Sequence, residues 1–362
     1  MPESPAVPAP NLMWDVTRYA IVAGVAGLLI WYSFFYTQTV YVSREVSGKT
    51  MGTAYTVKVA QFPETGDWQK ITGEIQERLD ALDQKMSTYR SDSEICRFNT
   101  FTSTEEWFSV SKETAQVVHA ALEISQLSEG AFDITVAPLV RHWGFGAGSS
   151  PRLTGSFEEL QSEAVRLKEQ TGYDKLFVRL DPPALKKSIP ALTIDLSAIA
   201  KGFAVDSIAE LLEAHKITNY LIEVGGEVRG KGRKSKDKDW FVGIEKPTEQ
   251  YSGNQQELPL KDQSLATSGS YLQYRTIGGQ LVSHLIDPRS GLPAQIGNSV
   301  ETLVSVAVLA PNCTQADAWA TVMFVLGEQK GQELANRHKI AVLFLLQKGE
   351  EIREVTSESW KQ

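Results

Sequence analysis

The sequence predicts an α/β (α+β) body of mixed sheets and helices behind an N-terminal transmembrane helix. Two observations predict it. From about residue 44 onward, strand-like and helix-like segments alternate without internal repeats or a long low-complexity linker. Before that, "YAIVAGVAGLLIWYSFFY" from Tyr19 to Tyr36 carries no charge. At roughly 1.5 Å per residue it is long enough nearly to cross a bilayer core of about 30 Å. The expected organisation is a tail over residues 1–18, a membrane anchor over 19–40 and one domain over 44–362.

The anchor has aromatic residues for both interfaces in Trp14, Tyr19, Trp31, Tyr32 and Tyr36. No small-residue cleavage site follows, so it reads as uncleaved. Arg18 precedes the span while Arg44 and Lys49 follow it, so positive charge does not decide the topology.

In the body, "TAYTVKVA" (53–60) alternates as a strand does. Residues 68–87 place Ile71, Ile75, Leu79 and Leu82 at helical spacing. Residues 111–130 predict another helix, with Ser111 as N-cap and Gly130 as its stop. The turn-rich, charged region 150–190 is expected at the periphery without chemistry. "LTIDLSAIAKGFAVDSIAELLEAH" predicts an apolar strand, a small-residue turn and a helix burying Val205, Ile208, Leu211 and Leu212. Such a turn aims backbone N–H groups at whatever lies before the helix. "YLIEVGGEVRGKG" and "WFVGIEKP" read as strands, and "YLQYRTIGGQLVSHLIDP" reads as a hairpin closed at Gly278 and Gly279. The strand "LVSVAVLAP", a helix beginning "CTQADAWATVMFVLG" and a last buried strand "KIAVLFLLQ" complete the body.

The composition narrows the function. With 362 residues, 42% hydrophobic and 22% charged, there is ample material for a core. A net charge of -8, from 44 acidic and 36 basic residues, argues against nucleic acid as a partner. The one basic cluster, "KGRKSKDK" at 231–238, reads as a solvated hairpin tip. Cys96 and Cys313 show no metal or redox spacing; an oxidising compartment would allow them to pair, but two buried thiols is the favoured reading. There is no Walker A loop, HExxH, GxSxG or CxxCH, and "GFGAG" at 144–148 lacks a strand-turn-helix frame.

Three pairs remain. Asp317 and Thr321 stand four residues apart on one helix face, offering a charged and a neutral oxygen that a hard cation can share. Equally, the pair can cap a turn and bond back to a carbonyl. Asp195 and Lys201 flank a helix start where a diphosphate would meet both charge and backbone donors, though a cap and a solvated lysine are the plainer alternative. His284 and Asp287 share "SHLIDPRSG", where the histidine can equally be a satisfied core residue.

"MGTAYTV", "MSTYRSDSEICRFN", "GAFDITVAPLV", "WGFG", "DLSAIAKGFAVD", "YLIEVGGEVRGKG", "ATSGSY", "SHLIDPRSGLP" and "APNCTQADAWATVMFVLG" occur in the order seen in the ApbE family, the FAD:protein FMN transferases. The sequence resembles that family from about residue 46 to 350. The resemblance implies a single T-fold-like body. It also implies magnesium-dependent cleavage of FAD, transfer of FMN through a phosphoester to a threonine of a target flavoprotein, and release of AMP. It places Met51, Tyr89, Ala131, Phe132, Asp133, Asp195, Lys201, His284 and Ile286 in an FAD pocket. The Ala198 carbonyl, Asp317 and Thr321 become the magnesium ligands. His284, Asp287 and Lys201 become the catalytic candidates, with the choice of base between His284 and Asp287 left open.

Many members carry a lipid-modified cysteine after the signal; here no cysteine lies near the apolar segment, and a transmembrane anchor is expected in its place. By resemblance the domain is then held on the inner (cytoplasmic) membrane as a single-pass protein facing the periplasm. There the acceptors are subunits of sodium-pumping NADH:quinone reductase or Rnf-type complexes. A metal-dependent FAD pyrophosphatase and a membrane-tethered, non-enzymatic flavin-binding protein are the alternatives.

Overall fold

The computed structural model describes residues 24–25, 41–148, 155–247, 253–269, 274–277, 279–294 and 301–361. The chain divides into two compact units, Met1–Val42 with Phe62–Gly66, and Ser43–Gln61 with Asp67–Gln362. The elements below belong to the second, except for Tyr41 and Val42 of the first strand and Phe62 and Pro63 of the next. The expected membrane anchor lies outside the described residues apart from Gly24 and Val25. Among the described residues no helix is long and apolar enough to cross a membrane.

The first elements are β1 (Tyr41–Thr50), β2 (Thr53–Pro63), α1 (Trp68–Met86), α2 (Glu94–Thr100), β3 (Phe108–Ser109), α3 (Lys112–Leu127) and α4 (Ala137–His142). Next come α5 (Phe157–Leu167), β4 (Leu176–Leu180), β5 (Pro183–Lys187), α6 (Ala200–Ala214), β6 (Tyr220–Val224), β7 (Glu227–Lys231), β8 (Trp240–Glu245) and β9 (Asn254–Leu260). The last are β10 (Gln263–Gly269), β11 (Tyr274–Ile277), β12 (Gln280–Ser283), β13 (Ile286–Asp287), β14 (Leu292–Pro293), β15 (Thr302–Ala310), α7 (Cys313–His338), β16 (Ala341–Lys348) and β17 (Glu351–Thr356).

An eight-stranded sheet, ordered β1-β2-β6-β7-β10-β15-β16-β17, is the frame. Helices α6 and α7 pack together, with α7 also lying on β10 and β15 and α1 lying on α6. A second core of Val228, Ile244, Leu258, Leu260, Leu265, Ala307, Leu343 and Leu345 joins the sheet to the β8–β9 hairpin. Strand β16 therefore buries alternate residues in different places: Leu343 and Leu345 enter this core, while the Phe344 ring lies against Gly331 of α7. Burial on both faces explains why its sequence is a continuous apolar run rather than an alternating one.

Local chemistry sets the element ends. The Ser111 side chain accepts from the Thr114 amide to start α3, as the sequence predicts, and Gly130 at φ 78° follows its end. Helix α7 starts with the Asn312 side chain accepting from Gln315 and bends at Gly327, where φ 74° and ψ -178° suit only glycine. The 231–238 segment turns back on itself through a Ser235–Lys238 bridge.

Three expectations need correction. The apolar stretch Leu192–Asp195 is extended but joins no sheet. Its backbone groups are satisfied instead by the Asn99 side-chain amide, which bonds both Ile194 N and Ile194 O, and by the Ile134 carbonyl, which accepts from Asp195 N. The 150–190 region is more than a peripheral cover. Leu160 and Ala164 pack in a core cluster with Trp143 and Ile286, and Lys187 is fully buried. Finally, β17 follows the strand expected to be last and pairs along β16. Both cysteines are free; Cys313 is buried as expected, whereas Cys96 is half-buried.

Candidate active site

A cavity of about 800 Å3 lies where the start of α6, the β6–β7 turn, β8, β10, α7 and the loop carrying His284 meet. That is ample for a dinucleotide-sized ligand by the usual range of small-molecule sites. One wall is apolar, with Ala131, Phe132 and Ile286 each nearly inaccessible to solvent. Tyr89 also borders the cavity but is 74% exposed, which puts it at the mouth rather than in the depth.

The polar floor is built by α6, β7 and α7. Helix α6 has no capping side chain of its own at Ile199. Instead the Asp317 carboxylate on α7 accepts from the Gly202 amide at 2.9 Å. Glycine is needed there because a Cβ would stand 2.3 Å from the Cys313 carbonyl oxygen and 2.8 Å from Asp317 Cβ. Lys201 Nζ reaches Glu227 Oε2 at 2.6 Å. Glu227 follows a Gly225–Gly226 turn with φ of 58° and 99°, the conformation that hairpins of this kind require. Thr321 Oγ1, one turn beyond Asp317, lies 3.3 Å from Ser268 Oγ on β10.

These charges perturb one another. Burial and the nearby Asp317 charge push Glu227 up to about 8, against the pull of Lys201. Burial likewise raises Asp317, opposed by Lys201 and the Gly202 amide. Burial acts to lower Lys201, but the Glu227 and Asp317 charges outweigh it and hold the ammonium above its ordinary value. One fixed cation thus sits among two buried carboxyls, an imbalance that added positive charge would relieve.

Other polar residues shape the walls. Asp133 takes the Thr135 and Tyr173 amides on separate carboxylate oxygens, both at 2.8 Å, and so pins the loop bearing Ala131 and Phe132. Asp195 accepts from the amide and hydroxyl of Ser197 and thereby forms the turn through Ala198 into α6. His284 is the histidine lining the cavity, with its ring 6.2 Å from that of Phe145.

The structure therefore brings Tyr89, Ala131, Phe132, Asp133, Asp195, Ala198, Lys201, His284, Ile286, Asp317 and Thr321 to one cavity. It leaves two expected residues out. Met51 occupies the β1–β2 turn at φ 47° and borders a neighbouring cleft with Asp80 and Asp83, which meets the cavity at Thr53 and Ala54. Asp287 does not line the cavity, and its two carboxylate oxygens are taken by Arg289 Nε and Nη2 at 2.9 Å each. Glu227 lies within "YLIEVGGEVRGKG" yet is absent from the sequence-predicted site residues, because nothing in a linear sequence sets it opposite Lys201.

The donor set fits a hard cation. Asp317, Thr321 and Ala198 offer only oxygens, and no cluster of three or more His, Cys, Asp or Glu side chains suited to a metal occurs among the described residues.

The sequence model of the ApbE family matches residues 51–344. The chain belongs to the ApbE family. An FAD:protein FMN transferase of Vibrio cholerae serotype O1 is 40% identical over 316 residues, covering 87% of this chain and 91% of that protein. The Escherichia coli K12 FAD:protein FMN transferase is 36% identical over 318 residues, 87% and 88% of the two chains. Among solved structures, the flavin transferase ApbE from Vibrio cholerae superposes with a TM-score of 0.77 at 38% identity, covering 89% of this chain and 99% of that one. The apo Pseudomonas stutzeri flavinyl transferase ApbE gives 0.77 at 32% identity, over 88% and 96%. Most of the ApbE motifs thus meet at one cavity here.

Proposed function

We propose that this chain is an FAD:protein FMN transferase, moving FMN from FAD to a threonine hydroxyl of a flavoprotein and releasing AMP. The observation that carries this reading is the pairing, in one cavity, of an apolar wall with the Lys201–Glu227–Asp317–Thr321 floor. The apolar wall of Ala131, Phe132 and Ile286 suits a flavin ring, with Tyr89 at the mouth covering its outer edge. The ammonium of Lys201, in the first turn of α6 where the helix dipole is positive, suits a diphosphate.

Asp317, Thr321 and the Ala198 carbonyl would hold magnesium. The ion, when bound, supplies electrophilic polarisation of the diphosphate and offsets charge on the departing AMP. The threonine oxygen forms a bond to the FMN phosphorus while the phosphorus–oxygen bond to AMP breaks. The hydroxyl proton passes to His284; Asp287 is the weaker choice because Arg289 holds its carboxylate. Lys201 stays protonated and acts by charge. An acceptor threonine seated at the cavity mouth has the advantage of high effective concentration over water.

The uncharged segment Tyr19–Tyr36 supports a single-pass membrane anchor; the inner membrane, the periplasmic side and acceptor subunits of sodium-pumping NADH:quinone reductase or Rnf-type complexes are taken from the family resemblance. A test is the stoichiometry of products. With FAD, magnesium and an acceptor domain, AMP and flavinylated acceptor should appear in equal amounts, and omission of the acceptor should nearly stop AMP formation. Equal AMP release without acceptor would replace this reading with a pyrophosphatase.

A further inference from the structure

Asp206 lies on α6, outside the cavity and only 9% exposed. Its Oδ1 accepts from the Cys313 amide at 2.9 Å, and its Oδ2 accepts from the Thr314 amide at 2.8 Å and the Thr314 hydroxyl at 2.6 Å. These are the first residues of α7, so a carboxylate from one helix caps the positive end of another. Arg229 Nη1 holds the same Oδ1 at 2.6 Å from β7. Asp317 completes the reciprocal arrangement, since one turn into α7 its carboxylate caps the start of α6 at Gly202.

The two helices thus cap each other, and β7 braces both contacts. Its alternate residues Glu227 and Arg229 share a face and pair with Lys201 and Asp206 of α6. Beside the apolar packing of α7, Asp206 ties its first residues to α6 and β7, one turn before Asp317 and two before Thr321. A small shift of the α7 start would carry both oxygens with it, because they lie within the next two turns.

We propose that Asp206 is a positioning residue that sets Asp317 and Thr321 for the diphosphate and its cation. The proposal rests on the reading of those two residues given above. Its test is Mn2+ binding in the presence of FAD, followed by the loss of the free-ion electron paramagnetic resonance signal, alongside flavin fluorescence without metal and a thermal melt.

In Asp206→Asn the half-saturating Mn2+ concentration should rise about 10-fold or more, the scale seen when partners of metal ligands are changed. FAD affinity without metal should move less than about twofold, because Asp206 does not touch the cavity. Thr314→Val removes only the hydroxyl bond and should shift Mn2+ binding in the same direction; it is the deciding variant if Asp206→Asn does not fold. Unchanged Mn2+ binding in a folded variant overturns the proposal. Asp317→Ala separates the two failures: wild-type Mn2+ binding there removes the metal reading itself, whatever Asp206 does.

Discussion

The carboxylate of Asp317, on α7, accepts a hydrogen bond at 2.9 Å from the amide of Gly202, at the start of α6. A residue read from sequence as a cation ligand is therefore also a structural cap. Its two roles separate by substitution. Asp317→Asn retains an oxygen for Gly202, whereas Asp317→Ala leaves that buried N–H unpaired, at a cost of about 1–3 kcal/mol. Both variants should lose FMN transfer at saturating magnesium, but only Asp317→Ala should show a clearly lowered melting temperature. Wild-type turnover in Asp317→Asn would remove the charge of this carboxylate from the reaction.

Gly202→Ala tests the closeness of the helix crossing. The added methyl would meet the Cys313 carbonyl oxygen at 2.3 Å, and backbone atoms do not swing aside as a side-chain end does. Overpacking of this kind costs about 1–3 kcal/mol. Urea unfolding should show that loss together with reduced transfer, since α7 must move to make room. A variant as stable as the wild type would mean that the two helices approach less closely.

Lys201 and Glu227 should behave as a coupled pair. Lys201→Met leaves Glu227 and Asp317 buried without their cation and should destabilise by about 3 kcal/mol, toward the lower end of broken buried pairs. Adding Glu227→Gln should recover part of that loss, because one of the uncompensated carboxyls is gone. A double-mutant cycle of denaturation free energies measures the coupling. Additive losses would show that the 2.6 Å contact contributes nothing to stability.

Lys187 gives a pH signature remote from the cavity. It is buried with its ammonium on the Leu192 carbonyl at 2.7 Å and 4.6 Å from the Phe98 ring centre, and burial pulls it down to about 8. The folded value is below the unfolded one, so between about pH 8 and about 10.5 the unfolded chain binds more protons and this residue's contribution to stability rises with pH. Stability of the wild type relative to Lys187→Met should therefore increase across that window. A flat difference would mean that Lys187 stays charged in the fold.

Much of this was legible before the structure. Periodicity placed α1 and α3 with their buried residues, and the hairpin read across Gly278 and Gly279 is the β11–β12 pair, with Ile277 opposite Gln280. Ordered motifs gathered most of the cavity. What stayed hidden depends on distance through space: Glu227 against Lys201 and Asp206 under α7. Leu192–Asp195 misled for a related reason. An extended apolar run looks the same whether its backbone is satisfied by a neighbouring strand or by the side chain of Asn99, 95 positions away from Ile194.

His284→Ala should lower the rate of transfer by roughly 10²–10⁴-fold, the usual contribution of a positioned base, while leaving FAD binding close to normal. Single-turnover kinetics beside a flavin titration would show it. An equal loss of binding would make His284 a binding residue only.

The most direct measurement is the intact mass of an acceptor domain after incubation with this protein, FAD and magnesium. The acceptor should become heavier by one FMN residue, and a Thr→Ala acceptor should keep its mass. Accumulation of free FMN at the same rate with either acceptor, or with none, would contradict transfer as the reaction of this site.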